Sequence, residues 1–162
     1  MTGTQRRVVF KPMTPEEYVG YRETGIRHYA QDKIRSGEWA EHEALRLSAT
    51  DHDALLPLGV DTPDHHLFTV YDADTDERVA TFWLMLRPVA SRVEGFVYDI
   101  EVVEKYRGQG YGRATMQAGI EKARELRADT VGLHVFGHNA TAYALYRSLG
   151  FVETHINMSL EL

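Results

Sequence analysis

A mixed, mostly antiparallel central sheet with helices on both faces, an α/β (α+β) architecture, is the fold class this sequence predicts. Three observations carry the prediction. Strand-like and helix-like stretches follow in the order β-α-α-β-β-β-α-β-α-β, which places helices on both sides of one sheet. The first helix opens with a complete start signal, Thr14-Pro15-Glu16-Glu17. In residues 96–115 a β-prone run leads through a basic turn and the alternate glycines Gly108, Gly110 and Gly112 into a helical pattern.

At 162 residues the whole chain, 1–162, is expected to form one domain with a proper core. Hydrophobic residues make up 43% and charged ones 26%, which is globular composition and not that of a disordered chain. The absence of cysteine removes disulfides, thiolate metal sites and a cysteine nucleophile. No apolar run approaches the roughly 18 residues of a membrane helix, and the polar start 1–7 is unlike a signal peptide. The expectation is a cytoplasmic protein with no membrane partner. A net charge of −6 argues against nucleic acid as a partner and suits a cationic substrate such as an amine.

The elements can be justified in order. Residues 7–11 (Arg-Val-Val-Phe-Lys) read as a short strand. Thr14 then serves as N-cap, Pro15 as the first helical residue and Glu17 as the closing member of a capping box. Tyr18, Tyr21, Ile26, Tyr29, Ala30 and Ile34 recur at helical spacing, so one face is buried. Ser36-Gly37 stops that helix, and a second follows with Trp39, Ala40, Ala44 and Leu47 inward. Residues 55–66 hold two prolines and a glycine and read as a connection. Strands at 67–72 and 78–87 make a hairpin around the acidic turn 72–77; Pro88 ends the second, and 89–94 forms another connection.

The strand at 96–103 puts Phe96, Tyr98, Ile100 and Val102 on one face and Val97, Asp99, Glu101 and Val103 on the other by alternation. The helix after the glycines turns Met116, Gly119, Ile120, Ala123 and Leu126 inward. Residues 130–136 read as a strand, with Leu133 and Val135 on one face and His134 and Phe136 on the other. Asn139 caps a helix that Gly150 stops. Residues 151–162 alternate strictly and predict a closing strand, with Val152, Thr154, Ile156, Met158 and Leu160 on one side.

A glycine turn between strand and helix is an anion site in waiting, because the first helical N–H groups are unpaired and carry the positive dipole end. Two familiar glycine loops fail here. A P-loop needs Lys and Ser or Thr after its last glycine, where this chain has Arg113 and Ala114. The dinucleotide G-x-G-x-x-G fails at Arg113 or Thr115, depending on the glycine taken first. What remains is R-G-x-G-x-G, led by Arg107. Downstream, residues 133–151 carry a strand followed by N-x-x-A-x-x-L-Y-x-x-L-G-F, from Asn139 to Phe151.

These two motifs, in this order and at this spacing, resemble the hallmarks of the GNAT family of N-acetyltransferases, whose order of elements is also the one read above. The runs Gly25-x-x-His28-Tyr29-Ala30 and Pro63-Asp64-His65-His66-Leu67 look like a group of small bacterial members of unassigned substrate. The resemblance implies acetyl-CoA as co-substrate and a small-molecule or peptide amine as acceptor, joined by direct attack in a ternary complex. It places the CoA pyrophosphate on backbone amides across Gly108, Gln109, Gly110, Tyr111, Gly112 and Arg113, with Arg107 and Lys105 adding charge near the phosphates. Val102 and Val103 would pair with the pantetheine arm where the strand starting at Thr130 splays away, and an N–H there could polarise the thioester carbonyl. Asn139 would contact pantetheine, and Tyr146 would protonate the departing thiolate.

For the base, the resemblance points to Glu101, with His134 second and Asp99 able to tune Glu101 or hold a cationic substrate. Taken alone, without the motif, Tyr146 reads as a core aromatic and His134 as a structural histidine, while Glu101 reads equally as a satisfied carboxylate on a strand face. Tyr29, Trp39, His65, His66 and Tyr98 would form the substrate wall. No metal is expected: His65 and His66, adjacent on a strand, point opposite ways, and His134 and His138 share no helical turn. The alternative reading is a CoA-binding sensor or partner protein with a weakly catalytic cleft. The closing strand could pair across a homodimer.

Overall fold

A computed structural model describes residues 5–162; positions 1–4, part of the polar start read above, lie outside the described residues. The elements are β1 (Val8–Pro12), α1 (Pro15–Arg35), α2 (Glu41–Leu55), β2 (His65–Asp72), β3 (Arg78–Val89), β4 (Arg92–Val102), α3 (Tyr111–Glu125), β5 (Thr130–Leu133) and α4 (Ala140–Ser148). The strands form one sheet in the order β1-β2-β3-β4-β5. Neighbours are antiparallel up to β4, and β5 joins β4 in parallel, so the expected mixed, mostly antiparallel sheet is found.

Each face of the sheet carries its own core. Phe68, Val70, Phe82, Leu84 and Val97 pack against Met116 and Ala123 of α3. On the other face Leu67 and Trp83 pack with Met13, Tyr21 of α1 and Leu56. The start of α1 is as predicted: Thr14 Oγ1 accepts from the Glu17 amide at 3.2 Å, and the Glu17 carboxylate accepts from the Thr14 amide at 2.8 Å. Such a cap stabilises a helix by about 1 kcal/mol. Tyr29, counted on the buried face of α1, is instead exposed. In α2 the inner face is Ala44, Ser48 and His52, whereas Ala40 is the exposed N-cap. Ser48 satisfies its buried hydroxyl by donating to the Ile26 carbonyl at 2.7 Å. Among the described residues no helix is long and apolar enough to cross a membrane.

Three expectations are corrected. First, β3 and β4 run past Pro88 to a two-residue turn at Ala90 and Ser91, with Pro88 opposite Val93. The cross-strand pair Arg87–Glu94, at 2.7 Å, braces the hairpin immediately before the proline, and Val89 opposite Arg92 continues it beyond.

Second, β4 does not alternate. Trp83 faces Asp99 while Leu84 faces Val97, so Tyr98 is an extra, unmatched residue, a β-bulge. Val97 therefore shares the α3-side core with Ile100 and Val102. Tyr98 and Asp99 both turn to the α1 side, where Tyr98 stacks on Trp83 and Asp99 meets Tyr21.

Third, residues 151–162 form no strand. A strand needs a ladder partner and cover for its apolar face, and the segment finds neither on its own chain.

Candidate active site

The bulge at Tyr98 opens the sheet. β4 pairs with β5 only from Glu94 to Val97, so beyond the bulge its edge toward β5 has no strand beside it. Val103 spends its N–H on the Val79 carbonyl and its own carbonyl on the Tyr106 N–H, both at 2.8 Å. Backbone groups alternate along an antiparallel ladder, so Val102 presents N–H and C=O to the gap. Of the two valines expected there, Val102 faces the opening and Val103 does not.

The glycine turn lies at the end of this edge. Gly108 and Gly110 hold φ of +71° and +91°, where a side chain would be strained. Gly112 carries no such strain: a Cβ there would make ordinary contacts, 3.6 Å from Leu145 and 3.8 Å from Val102. At the head of α3 the Ala114 N–H donates to the Gly110 carbonyl at 3.1 Å. Among the described residues the amides of Tyr111, Gly112 and Arg113 have no partner, and no acidic side chain occupies the first turn. The positive helix end is left uncompensated.

Side chains brace this turn from outside. Gln109 donates to the Lys105 carbonyl, and Arg113 donates to Ser148 Oγ at 2.7 Å. The Tyr111 hydroxyl donates to Asp72 at 2.6 Å. That bond, with the Asp74 and Thr75 amides, holds the Asp72 carboxyl down at about 2. Arg107 does not point at the turn. Its Nε donates to the Val102 carbonyl at 3.0 Å and its guanidinium lies 3.8 Å from Glu101, so it lines the gap. Lys105 rests over the Tyr106 ring.

The titratable groups gather on the α1 side of the bulge. Tyr21 donates its hydroxyl to Asp99 at 2.8 Å. Burial pushes the Asp99 carboxyl up to about 6; the Tyr21 bond opposes the rise and the charge of Glu101 adds to it. Glu101 is paired with His28 Nδ1 at 3.1 Å. Sequence reasoning gave His28 no role, although it stands in the Gly25-x-x-His28-Tyr29-Ala30 run. On α4, Tyr146 packs near Phe151, and its hydroxyl has no hydrogen-bond partner among the described residues. Burial, then the Asp99 charge, push its phenol up to about 12. Such a group stays protonated at neutral pH and is able only to give a proton. Asn139 caps α4 by accepting from the Ala142 amide at 3.2 Å, which leaves its NH₂ free for another contact.

The expected substrate wall is divided. Tyr29 and Trp39 meet edge to face at 5.5 Å, with the Lys33 ammonium over both rings and 5.9 Å from Phe136. Tyr98 lies between Trp83 and Phe96, next to Asp99 in sequence. His65 belongs to the interior: it is buried, accepts from Trp83 Nε1 at 2.9 Å and stacks on Tyr98. His66 stacks over Phe68, a residue of the α3-side core, and so lies across the sheet from His65. His134 is exposed beyond the end of β5, edge-on to Phe136 at 5.0 Å. Once pairing with β4 lapses at the bulge, nothing holds residues 134–136 as a strand, so His134 does not face the carboxylates from one.

Residues 31–151 match the family model described as "Acetyltransferase (GNAT) family". The chain is 37% identical to the uncharacterized N-acetyltransferase YycN of Bacillus subtilis, over 96% of this chain and 99% of that one. It is 35% identical to a second B. subtilis protein, the uncharacterized N-acetyltransferase YdgE, over 93% of this chain and 95% of that one. The crystal structure of YycN superposes with a TM-score of 0.91, covering 96% of this chain and 98% of that chain at 37% identity. A mycothiol acetyltransferase of Kocuria rhizophila is 34% identical, over 84% of this chain and 46% of its own length.

Proposed function

The chain belongs to the GNAT acetyltransferase family, and from that premise we propose that it moves the acetyl group of acetyl-CoA to a primary amine within one ternary complex. One observation carries this reading. The unpaired edge at Val102 lies between the open amides of Tyr111, Gly112 and Arg113 and the buried Asp99 carboxyl, raised to about 6, whose charge reaches the protonated Tyr146 phenol.

The residues present fit the co-substrate. Three free amides at a dipole end, with Gly110 and Gly112 among and beside them to admit close approach, suit a pyrophosphate. Val102, with N–H and C=O turned outward, suits an arm that itself contains amides. A thioester supplies an acyl group with a good leaving thiolate, and the chain supplies the rest. An amine of pKa near 10 arrives protonated and must lose that proton before attack. Asp99 and Glu101 take it, Asp99 being poised near neutrality and Glu101 held by His28 and Arg107. Attack forms the C–N bond and breaks the C–S bond; Tyr146 delivers its proton to the departing sulfur, and the proton then shed by the acylated nitrogen restores the phenol. An amide on the bulged strand steadies the charge on the carbonyl oxygen meanwhile.

Tyr29 and Trp39 give the acceptor an aromatic rim and Asp99 and Glu101 a negative floor, which favours a cationic acceptor. Thiol release from acetyl-CoA over a panel of small and peptide amines tests the proposal. Turnover on at least one amine is expected. Tight acetyl-CoA binding with no turnover on any amine would instead leave a CoA-binding sensor.

A further inference from the structure

The basic residues that the sequence places around the glycine turn are committed elsewhere. Arg107 is held by the Val102 carbonyl and faces Glu101, Lys105 lies over the Tyr106 ring, and Arg113 donates to Ser148. The open amides of Tyr111, Gly112 and Arg113 carry only the partial charge of a dipole end. That is far less than the charge of a pyrophosphate.

A cation does stand at the turn, and it comes from the far end of the chain. Arg6, just ahead of β1, donates from Nε to the Gln109 carbonyl at 3.2 Å. Its guanidinium lies over the Tyr111 ring, 4.8 Å from the ring centre. Its Cγ is 3.6 Å from where a Cβ on Gly110 would stand. The side chain thus spans Gln109, Gly110 and Tyr111, the residues that lead into the open amides. Arg6 is exposed, and among the described residues both of its Nη groups lack a hydrogen-bond partner. Its support is fixed on two sides. The Ala73 N–H donates to the Arg7 carbonyl at 2.9 Å and Arg7 pairs with Asp74, which anchors the backbone beside Arg6. The ring beneath it is held through the Tyr111 hydroxyl by Asp72 at 2.6 Å. A planar guanidinium seated on an aromatic face, with Nε already bonded, presents its Nη groups in a preset direction.

We propose that Arg6 is a further binding residue for the co-substrate, its Nη groups donating to the phosphate oxygens that lie on the amides of Tyr111, Gly112 and Arg113. The inference rests on acetyl-CoA being the co-substrate. The contact is charge-assisted and two-pointed, the kind a guanidinium makes with a phosphate and an ammonium does not. It supplies at the turn the full charge that Arg107 does not bring there. The phosphate concerned is the pyrophosphate and not the ribose 3′-phosphate, because Arg6 sits over the residue whose own amide is the first of the three. The arm ahead of β1, at the sheet edge farthest from the gap, thereby takes part in holding the donor.

Calorimetry with CoA and with 3′-dephospho-CoA reads this contact without any acceptor amine. The parent should bind both ligands. Arg6→Gln keeps a donor for the Gln109 carbonyl but no charge, and should raise Kd for both ligands by about tenfold. The gap between variant and parent should narrow as salt is raised, because the charge it reports is exposed. Arg6→Lys keeps the charge and should lose less than Arg6→Gln. Urea midpoints of both variants should match the parent, which separates loss of binding from loss of fold. Three results would each overturn the proposal: Arg6→Gln binding as tightly as the parent, a loss seen with CoA but not with 3′-dephospho-CoA, or Arg6→Lys binding as weakly as Arg6→Gln. A parent that binds neither ligand would remove the acetyl-CoA reading itself, and this inference with it.

Discussion

The Tyr21 hydroxyl on α1 donates to the Asp99 carboxylate on the bulged strand at 2.8 Å, joining the first helix to the edge where the sheet opens. The bond keeps in place a carboxyl that burial makes costly to charge.

The sign of that cost is testable. Asp99 stands at about 6 in the fold, against a value near 3.8 for a free aspartyl group. The native state thus binds the proton more tightly, so stability is greatest below pH ~4 and falls as the pH rises through ~6. A shift of about two units corresponds to a cost on the order of 2–3 kcal/mol above pH ~7. Asp99→Asn should therefore be more stable than the parent at pH ~8 and equal to it at pH ~4, as read by urea midpoints. It should also lose the limb of the kcat/KM profile near pH 6. Equal stability at both pH values would show that the buried carboxyl carries no such cost.

Tyr146→Phe removes the phenol proton and leaves the ring in place. The turnover number should fall by about 100-fold, in the range of general acid catalysis. Acetyl-CoA affinity by calorimetry should change by less than about twofold, because the amides of Tyr111, Gly112 and Arg113 are untouched. With the phenol at about 12, the parent should show no falling limb from this group below pH ~11. Unchanged turnover would remove Tyr146 from the chemistry.

What could be read from the sequence, and what could not, follows from the range of the forces involved. The capping box of α1, the glycine turn and the inward face of α3 are written in residues three or four apart, and all were legible. The bulge at Tyr98 was not, because register is set by two strands together; strict alternation placed Val97 with Asp99 when it packs with Ile100. His65 read as a wall residue because nothing local reveals that the Trp83 indole donates to it. Ser48 and His52 were missed on the inner face of α2 because a polar residue gives no apolar signal. The segment 151–162 failed differently: its pattern is a true strand pattern, but a pattern does not supply a partner.

His52 is the exception to polar satisfaction on that inner face. It is buried among Tyr18, Tyr21 and Trp83, and neither ring nitrogen has a hydrogen-bond partner. Burial lowers its pKa, so the native state sheds the proton first. Its contribution is full above the unfolded value near 6.5 and is lost as the pH falls through the lowered native value. His52→Phe keeps the aromatic contacts and removes the unpaired nitrogens, for a gain of about 1–2 kcal/mol at neutral pH. The gain should widen toward pH ~5 in thermal melts. A variant less stable than the parent at pH ~5 would mean that the ring nitrogens are satisfied after all.

Two helical glycines make opposite predictions from the same substitution. A Cβ on Gly119 would lie 2.3 Å from Cζ of Phe82, a ring with no exposed surface. The ring cannot retreat, since it packs against Phe10 at 5.2 Å on its other side. Gly119→Ala should therefore cost about 1–3 kcal/mol by overpacking. A Cβ on Gly20 of α1 would meet nothing within 4 Å. Gly20→Ala should instead stabilise by up to about 1 kcal/mol through helix propensity alone. Urea unfolding of both variants separates packing from propensity, and adding Phe82→Leu to Gly119→Ala should cost less than the two changes summed, because the shorter side chain vacates the space the methyl needs. Additive costs would mean that α3 shifts as a body to relieve the contact, and that the spacing between α3 and the sheet is set elsewhere than at Gly119.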